Sequence, residues 1–160
     1  MFYSQCKEDE FLNLKFFKNK QNGKYIELGA LDGKLYSNTK FFEDSLNWNG
    51  NLIEPHPNKF ELLKTNRPNN FCFNNLISNS SEELKFRYFV DNIAAVSGVE
   101  NTLSEHHFNT YFNSTSEWIS KQPQNEIFIK PKTLTDVVRE TNITHIDFMS
   151  LDVEDMSTKY

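Results

Sequence analysis

The chain has 160 residues, 38% of them hydrophobic and 14% aromatic, with a formal net charge of −5. That is the length of one domain with apolar material enough for a core, which excludes wholesale disorder. The acidic balance argues against nucleic acid or an anionic membrane as partner, and no apolar run approaches the roughly 18 residues of a membrane span.

Residues 8–18 place Phe11, Leu12, Leu14 and Phe17 at approximate helical spacing, and Gln21-Asn22-Gly23 stops that helix. Tyr25-Ile26-Glu27-Leu28 reads as a short strand running into the tight loop Gly29-Ala30-Leu31-Asp32-Gly33. Ser37 or Asn38 is placed to cap a helix reaching Leu46. A second strand over 51–54 ends at Pro55-His56-Pro57, and a helix over 58–66 buries Phe60, Leu62 and Leu63. A third strand follows over 71–77. Strands alternating with helices through short connections predict a parallel, right-handed α/β sheet.

The middle of the chain changes character. Residues 84–90 and 126–130 alternate like half-buried strands. Between them, 91–124 is polar and aromatic: an insertion, a lid or a poorly ordered loop, which composition leaves open. Thr133 and Asp136 suit a capping arrangement for a helix to Glu140, and 146–152 reads as a buried strand ending in an acid. The acidic N-terminus lacks a signal-peptide core, and Cys6 and Cys72 stand far apart without metal spacing. Both point to a reduced, cytoplasmic chain. His106-His107, adjacent in sequence, do not share a helix face, so no metal site is expected.

Three strand ends carry the chemistry, because open α/β sheets bind ligands beyond the carboxyl ends of their strands. The Gly29 loop lets a ligand approach the backbone, although a strand-to-helix turn needs glycine for its own geometry as well. Glu54 follows Gly29 by 25 residues, near the roughly 20 expected of an acid that grips a ribose diol. Asp152 and Glu154 straddle the last strand end, suited to acid/base work, substrate orientation or metal binding, or to capping a helix. The loop lacks the G-x-G-x-x-G of a dinucleotide site and carries Asp32. An anion there repels a pyrophosphate but suits a cationic aminoacyl or sulfonium group.

These pieces together resemble the FkbM-family methyltransferases. The resemblance rests on Tyr3-Ser4-Gln5 with Glu8-Asp9, on residues 27–33, on Ser37-Asn38-Thr39, Phe42-Glu43 and Trp48-Asn49-Gly50, and on Ile53-Glu54-Pro55-His56-Pro57. It continues through Asn66-Arg67-Pro68 and Thr133-Leu134-Thr135-Asp136 to residues 146–154, sparing 91–124. It implies a Rossmann-like, mostly parallel methyltransferase sheet in one domain over 1–160, with a β-rich insertion. It also implies S-adenosylmethionine as cofactor, held by Glu27, Gly29, Ala30, Asp32, Gly33, Ser37, Asn38, Thr39, Glu54 and Pro55. The methyl acceptor is then a hydroxyl on a sugar, polyketide or similar small molecule, with Asp152 or Glu154 as base. Two features depart from the family pattern: Asp155 replaces a glycine, and the chain stops six residues after Glu154. The latter predicts a sheet incomplete on its C-terminal side, whose last strand needs an oligomer or partner to cover it. The alternatives are an inactive, truncated binding module and a nucleotide or NAD binder of the same fold.

Overall fold

The computed structural model describes residues 1–152. Four parallel strands form the main sheet: β1 (Lys24–Leu28), β2 (Asn49–Ile53), β3 (Phe71–Phe73) and, last in the chain, β7 (Phe148–Leu151). Their order is β3-β2-β1-β7, and the register sets Leu28 beside Ile53 and Leu151, so three strands end at one level. A second sheet is antiparallel, with β4 (Leu84–Phe89) between β5 (Gly98–Val99) and β6 (Gln124–Ile129).

The two faces of β1 and β2 bury different side chains, as the period of a strand requires. Tyr25 and Leu52 join Phe41, Phe42 and Leu46 of α2 (Lys40–Leu46), Leu63 of α3 (Pro57–Asn66), and Trp48 in one cluster. Ile26, Leu28 and Ile53 meet Val137 of α6 (Leu134–Thr141) on the other face. Trp48, Phe42 and Leu63 are each within 1% of complete burial. Burial of such side chains contributes about 2–3 kcal/mol each. At the head of α6, Thr133 and Asp136 form the reciprocal capping box that their spacing suggested.

Three local expectations are corrected. The first helix, α1 (Glu8–Leu12), gives way to a π-turn at Asn13–Phe17, which rotates later residues off the α-helical face. Leu12 and Phe17 pack on the core, while Phe11 and Leu14 are exposed. In α3, Leu63 is buried and Leu62 is exposed. The third strand ends at Phe73, because Asn74 Nδ2 bonds the Glu54 and Pro55 carbonyls and Asn75 Oδ1 takes the Leu76 and Lys132 amides.

The segment between β4 and β6 is folded. A 3-10 turn (Ala94–Val96), β5, α4 (Glu105–Tyr111) and α5 (Glu117–Ser120) surround a core of Phe89, Leu103 and Phe112. Ser104 caps α4, and buried His107 sets Nε2 2.9 Å from the Val96 carbonyl. A bridge between Ile77 and Lys132 closes the neck through which the chain leaves and rejoins the main sheet. His56 joins the two parts. It caps α3 through Nδ1, and its Nε2 lies 2.8 Å from the Phe89 carbonyl. Burial holds its pKa below the ordinary histidine value, so Nε2 carries the proton and donates.

Candidate functional site

The tips of β1 and β2 are locked together. Gly29 turns left-handed at φ 80°, and its amide donates to the Ile53 carbonyl at 3.0 Å. A Cβ at Gly29 would lie 1.9 Å from the Asp152 carbonyl oxygen, so only glycine lets the tip of β7 come this close. Leu31 is also left-handed, at φ 46°, which is strained for a residue with a Cβ. That conformation aims its amide at Glu54 Oε2, 2.7 Å away, while the His56 amide donates to Oε1 at 2.7 Å. Glu54 is 3% exposed. Burial pushes its carboxyl up to about 7 against the two amide bonds, which favour the anion.

Behind the loop lies a buried cluster organised by Arg67, which is fully buried at the C-terminus of α3. Its guanidinium donates from Nε to Glu43, from Nη1 to the Gly33 carbonyl (2.9 Å) and Ser37 Oγ (3.1 Å), and from Nη2 to Tyr25 Oη (2.6 Å) and Thr39 Oγ1 (2.8 Å). Every N–H of the fork is thereby satisfied. Glu27, 2% exposed, completes the cluster. It lies 3.8 Å from Arg67 Nη1 and accepts from Thr39 Oγ1, Ser37 Oγ and the Asn38 amide. Burial pushes the Glu27 carboxyl up, and the Arg67 charge with these hydrogen bonds opposes that rise.

The strand tips open onto a cavity of about 860 Å³ between the two sheets. Gly29, Leu31, Glu54, Pro55 and Asp152 line its near side, residues 75–79 its flank, and β4, residues 94–99, Thr102 and Tyr111 its far side. Among the described residues its only charged side chains are Glu54 and Asp152. Partial burial and the nearby negative charge of Glu8 both raise the Asp152 carboxyl.

Of the residues the sequence proposed, Gly29, Glu54, Pro55 and Asp152 therefore meet on one cavity. Glu27, Ser37 and Thr39 lie behind it, within the Arg67 cluster. Ala30 is a core residue, and Gly33, at φ 79°, packs on the Arg67 stem. Asp32 turns its carboxylate to the Lys34 and Leu35 amides of its own loop, so Glu54 and Asp152, rather than Asp32, supply the negative wall. Asn38 bonds Ser150 Oγ at 2.9 Å and lines a separate, more open hollow of about 570 Å³ beside β7 and α1. Glu154 lies outside the described residues.

Arg67 stood in the matched stretch Asn66-Arg67-Pro68, but the sequence assigned it no role. One signal was available: the chain has only three arginines, in a composition where lysine is the usual cation. Gln5, within the matched stretch Tyr3-Ser4-Gln5, likewise had no role assigned from the sequence. Asp9 accepts from the Tyr3 amide and Ser4 Oγ, Ser4 bridges Tyr36, and this strap brings Gln5 to the cavity.

A parallel sheet ordered β3-β2-β1-β7, with a glycine bend and an acid at adjacent strand tips, defines a Rossmann-like α/β protein with a crevice at the carboxyl ends of its strands. The model of the methyltransferase FkbM domain matches residues 27–156, and the chain belongs to that family. It is a methyltransferase by family. No curated protein and no solved structure gives a significant match.

Proposed function

We propose that the cavity binds S-adenosylmethionine and that the protein methylates a hydroxyl oxygen of a small acceptor. The observation that carries this reading is Glu54, held by two amides at the tip of β2 beside the Gly29 bend. Each carboxylate oxygen has further lone-pair capacity for a ribose hydroxyl. Leu31, Ile53 and Ile77 offer apolar surface for a purine. The absence of a cation on the described wall suits a sulfonium and an ammonium, and disfavours a pyrophosphate. The residues present therefore fit the group.

When bound, the cofactor supplies an electrophilic methyl group on sulfur. The chain's own part is alignment and proton handling. Asp152, which partial burial and the charge of Glu8 raise above an ordinary aspartate, is a stronger proton acceptor for the acceptor hydroxyl.

Calorimetric titration with S-adenosylhomocysteine tests the reading. Native protein binds it in preference to NAD, and Glu54→Ala weakens binding about tenfold or more, the effect of losing charge-assisted hydrogen bonds. Preference for NAD would sink the proposal. Binding without methyl transfer to any hydroxyl acceptor would leave a cofactor-binding module in place of an enzyme.

A further inference from the structure

The far side of the cavity is chemically unlike the near side. It is contributed by the antiparallel unit, through Phe86, Ala95, Val96, Val99, Thr102 and Tyr111 among others, and none of its side chains carries a charge. Its small hydroxyls are engaged within the fold: Ser97 Oγ takes the Phe89 amide at 3.2 Å, and Thr102 Oγ1 donates to the Val99 carbonyl at 3.0 Å. The Tyr111 hydroxyl differs. It makes no hydrogen bond with a described residue, and its ring packs against His107.

We infer, on the reading given above, that this wall receives the methyl acceptor, and that the acceptor is an uncharged, largely apolar alcohol or phenol hydrogen-bonded by Tyr111. A phosphate or carboxylate placed here would lose its hydration without meeting a cation among the described residues, and would face the carboxylates of Glu54 and Asp152 across the same cavity. An aromatic or aliphatic body gains from the apolar surface instead, and one hydroxyl finds a partner in Tyr111. The chemistry excludes sugar phosphates and nucleotide-linked acceptors, and admits neutral molecules with a substantial hydrocarbon face.

The matched probes 2-naphthol and 2-naphthyl phosphate differ by the phosphate alone. Their affinities for the full chain, read by ligand-observed NMR without cofactor, test the inference separately from the cofactor reading. The naphthol binds at least about tenfold more tightly than its phosphate, since an unpaired buried charge costs more than 1.4 kcal/mol. Ala95→Arg narrows or reverses that preference. Tyr111→Phe weakens naphthol about fivefold, the value of one net hydrogen bond, and leaves S-adenosylhomocysteine binding unchanged. Saturating S-adenosylhomocysteine does not displace the naphthol. Equal or tighter binding of the phosphate overturns the inference, as does displacement of naphthol by S-adenosylhomocysteine. Loss of S-adenosylhomocysteine binding alone, with naphthol selectivity intact, overturns the cofactor reading and leaves the chemistry of this wall standing.

Discussion

The Leu31 amide donates to Glu54 Oε2 at 2.7 Å, tying the loop after β1 to the tip of β2. The carboxylate thus has two tasks, to hold the loop and to face the cavity. Burial sets its pKa near 7, where both tasks respond to pH.

The ligand-free protein is expected to lose stability through this group as pH rises from about 5 to 8. A carboxyl raised from 4.5 to about 7 on folding holds its proton longer in the native state than in the unfolded chain. Its contribution is therefore complete below the unfolded value and fades through the folded one, by roughly 3 kcal/mol at most. Urea midpoints measured across that range should fall more steeply for native protein than for Glu54→Gln. Parallel slopes would contradict the assignment.

Ligand affinity should run the other way. Ribose hydroxyls donate to the anion, so S-adenosylhomocysteine is expected to bind more tightly as pH climbs through about 7 and to plateau above it. The Glu54→Gln variant should show weaker binding with a flat profile over the same range. Calorimetry at four or five pH values reads both.

Arg67→Lys is expected to destabilise the protein by about 3–5 kcal/mol, because an ammonium cannot reproduce a planar fork and leaves Glu27 and Glu43 poorly paired. Chemical denaturation measures the loss. A change under about 1 kcal/mol would show that the cluster is not what holds the loop.

Gly29→Ala should be costly in two ways. The left-handed φ disfavours a Cβ, and the added carbon meets the Asp152 carbonyl at 1.9 Å. The strand tips must separate, with a loss of about 2 kcal/mol or more and of measurable S-adenosylhomocysteine binding. Native-like affinity in this variant would refute the proposed closeness of β1 and β7.

Acid should loosen the start of β7. Partial burial pushes the Asp147 carboxyl up, but hydrogen bonds from Lys20, the Lys24 amide and His145 outweigh it and hold the pKa at about 2. Its stabilisation is present above the unfolded value near 3.8 and lost as pH falls towards 2, amounting to about 1 kcal/mol after solvent screening. In Asp147→Asn, the protection factor of the Lys24 amide against hydrogen exchange should be lower at pH 6 and should no longer fall further in acid.

Much of the parallel half is legible in the sequence. Strand period, glycine turns and the Thr133–Asp136 cap are local signals, and each appears where it was expected, within a few residues. The apolar residues at 11, 12, 14, 16 and 17 fit more than one helical register, so the π-turn was hidden. The roles of the acids were harder to separate. Glu27 and Glu54 both sit at strand ends, yet Glu27 shares the inward face of Tyr25, whereas Glu54 lies one step beyond its strand. Arg67 reaches Tyr25 across 42 residues, and no short-range pattern reveals such a bond. The far wall of the cavity is equally non-local, because it forms only when β4 pairs with β6.

The closed neck at Ile77 and Lys132 has an evolutionary reading. Every hydrogen-bond partner of the Arg67 guanidinium lies between residues 25 and 43, well before that neck. A descendant that exchanged everything between Ile77 and Lys132 would keep the Arg67 cluster and the Leu31–Glu54 bond whole while acquiring a new recognition surface. On the proposed reading, recognition of the acceptor and bracing of the glycine bend thereby fall in separate stretches of the chain.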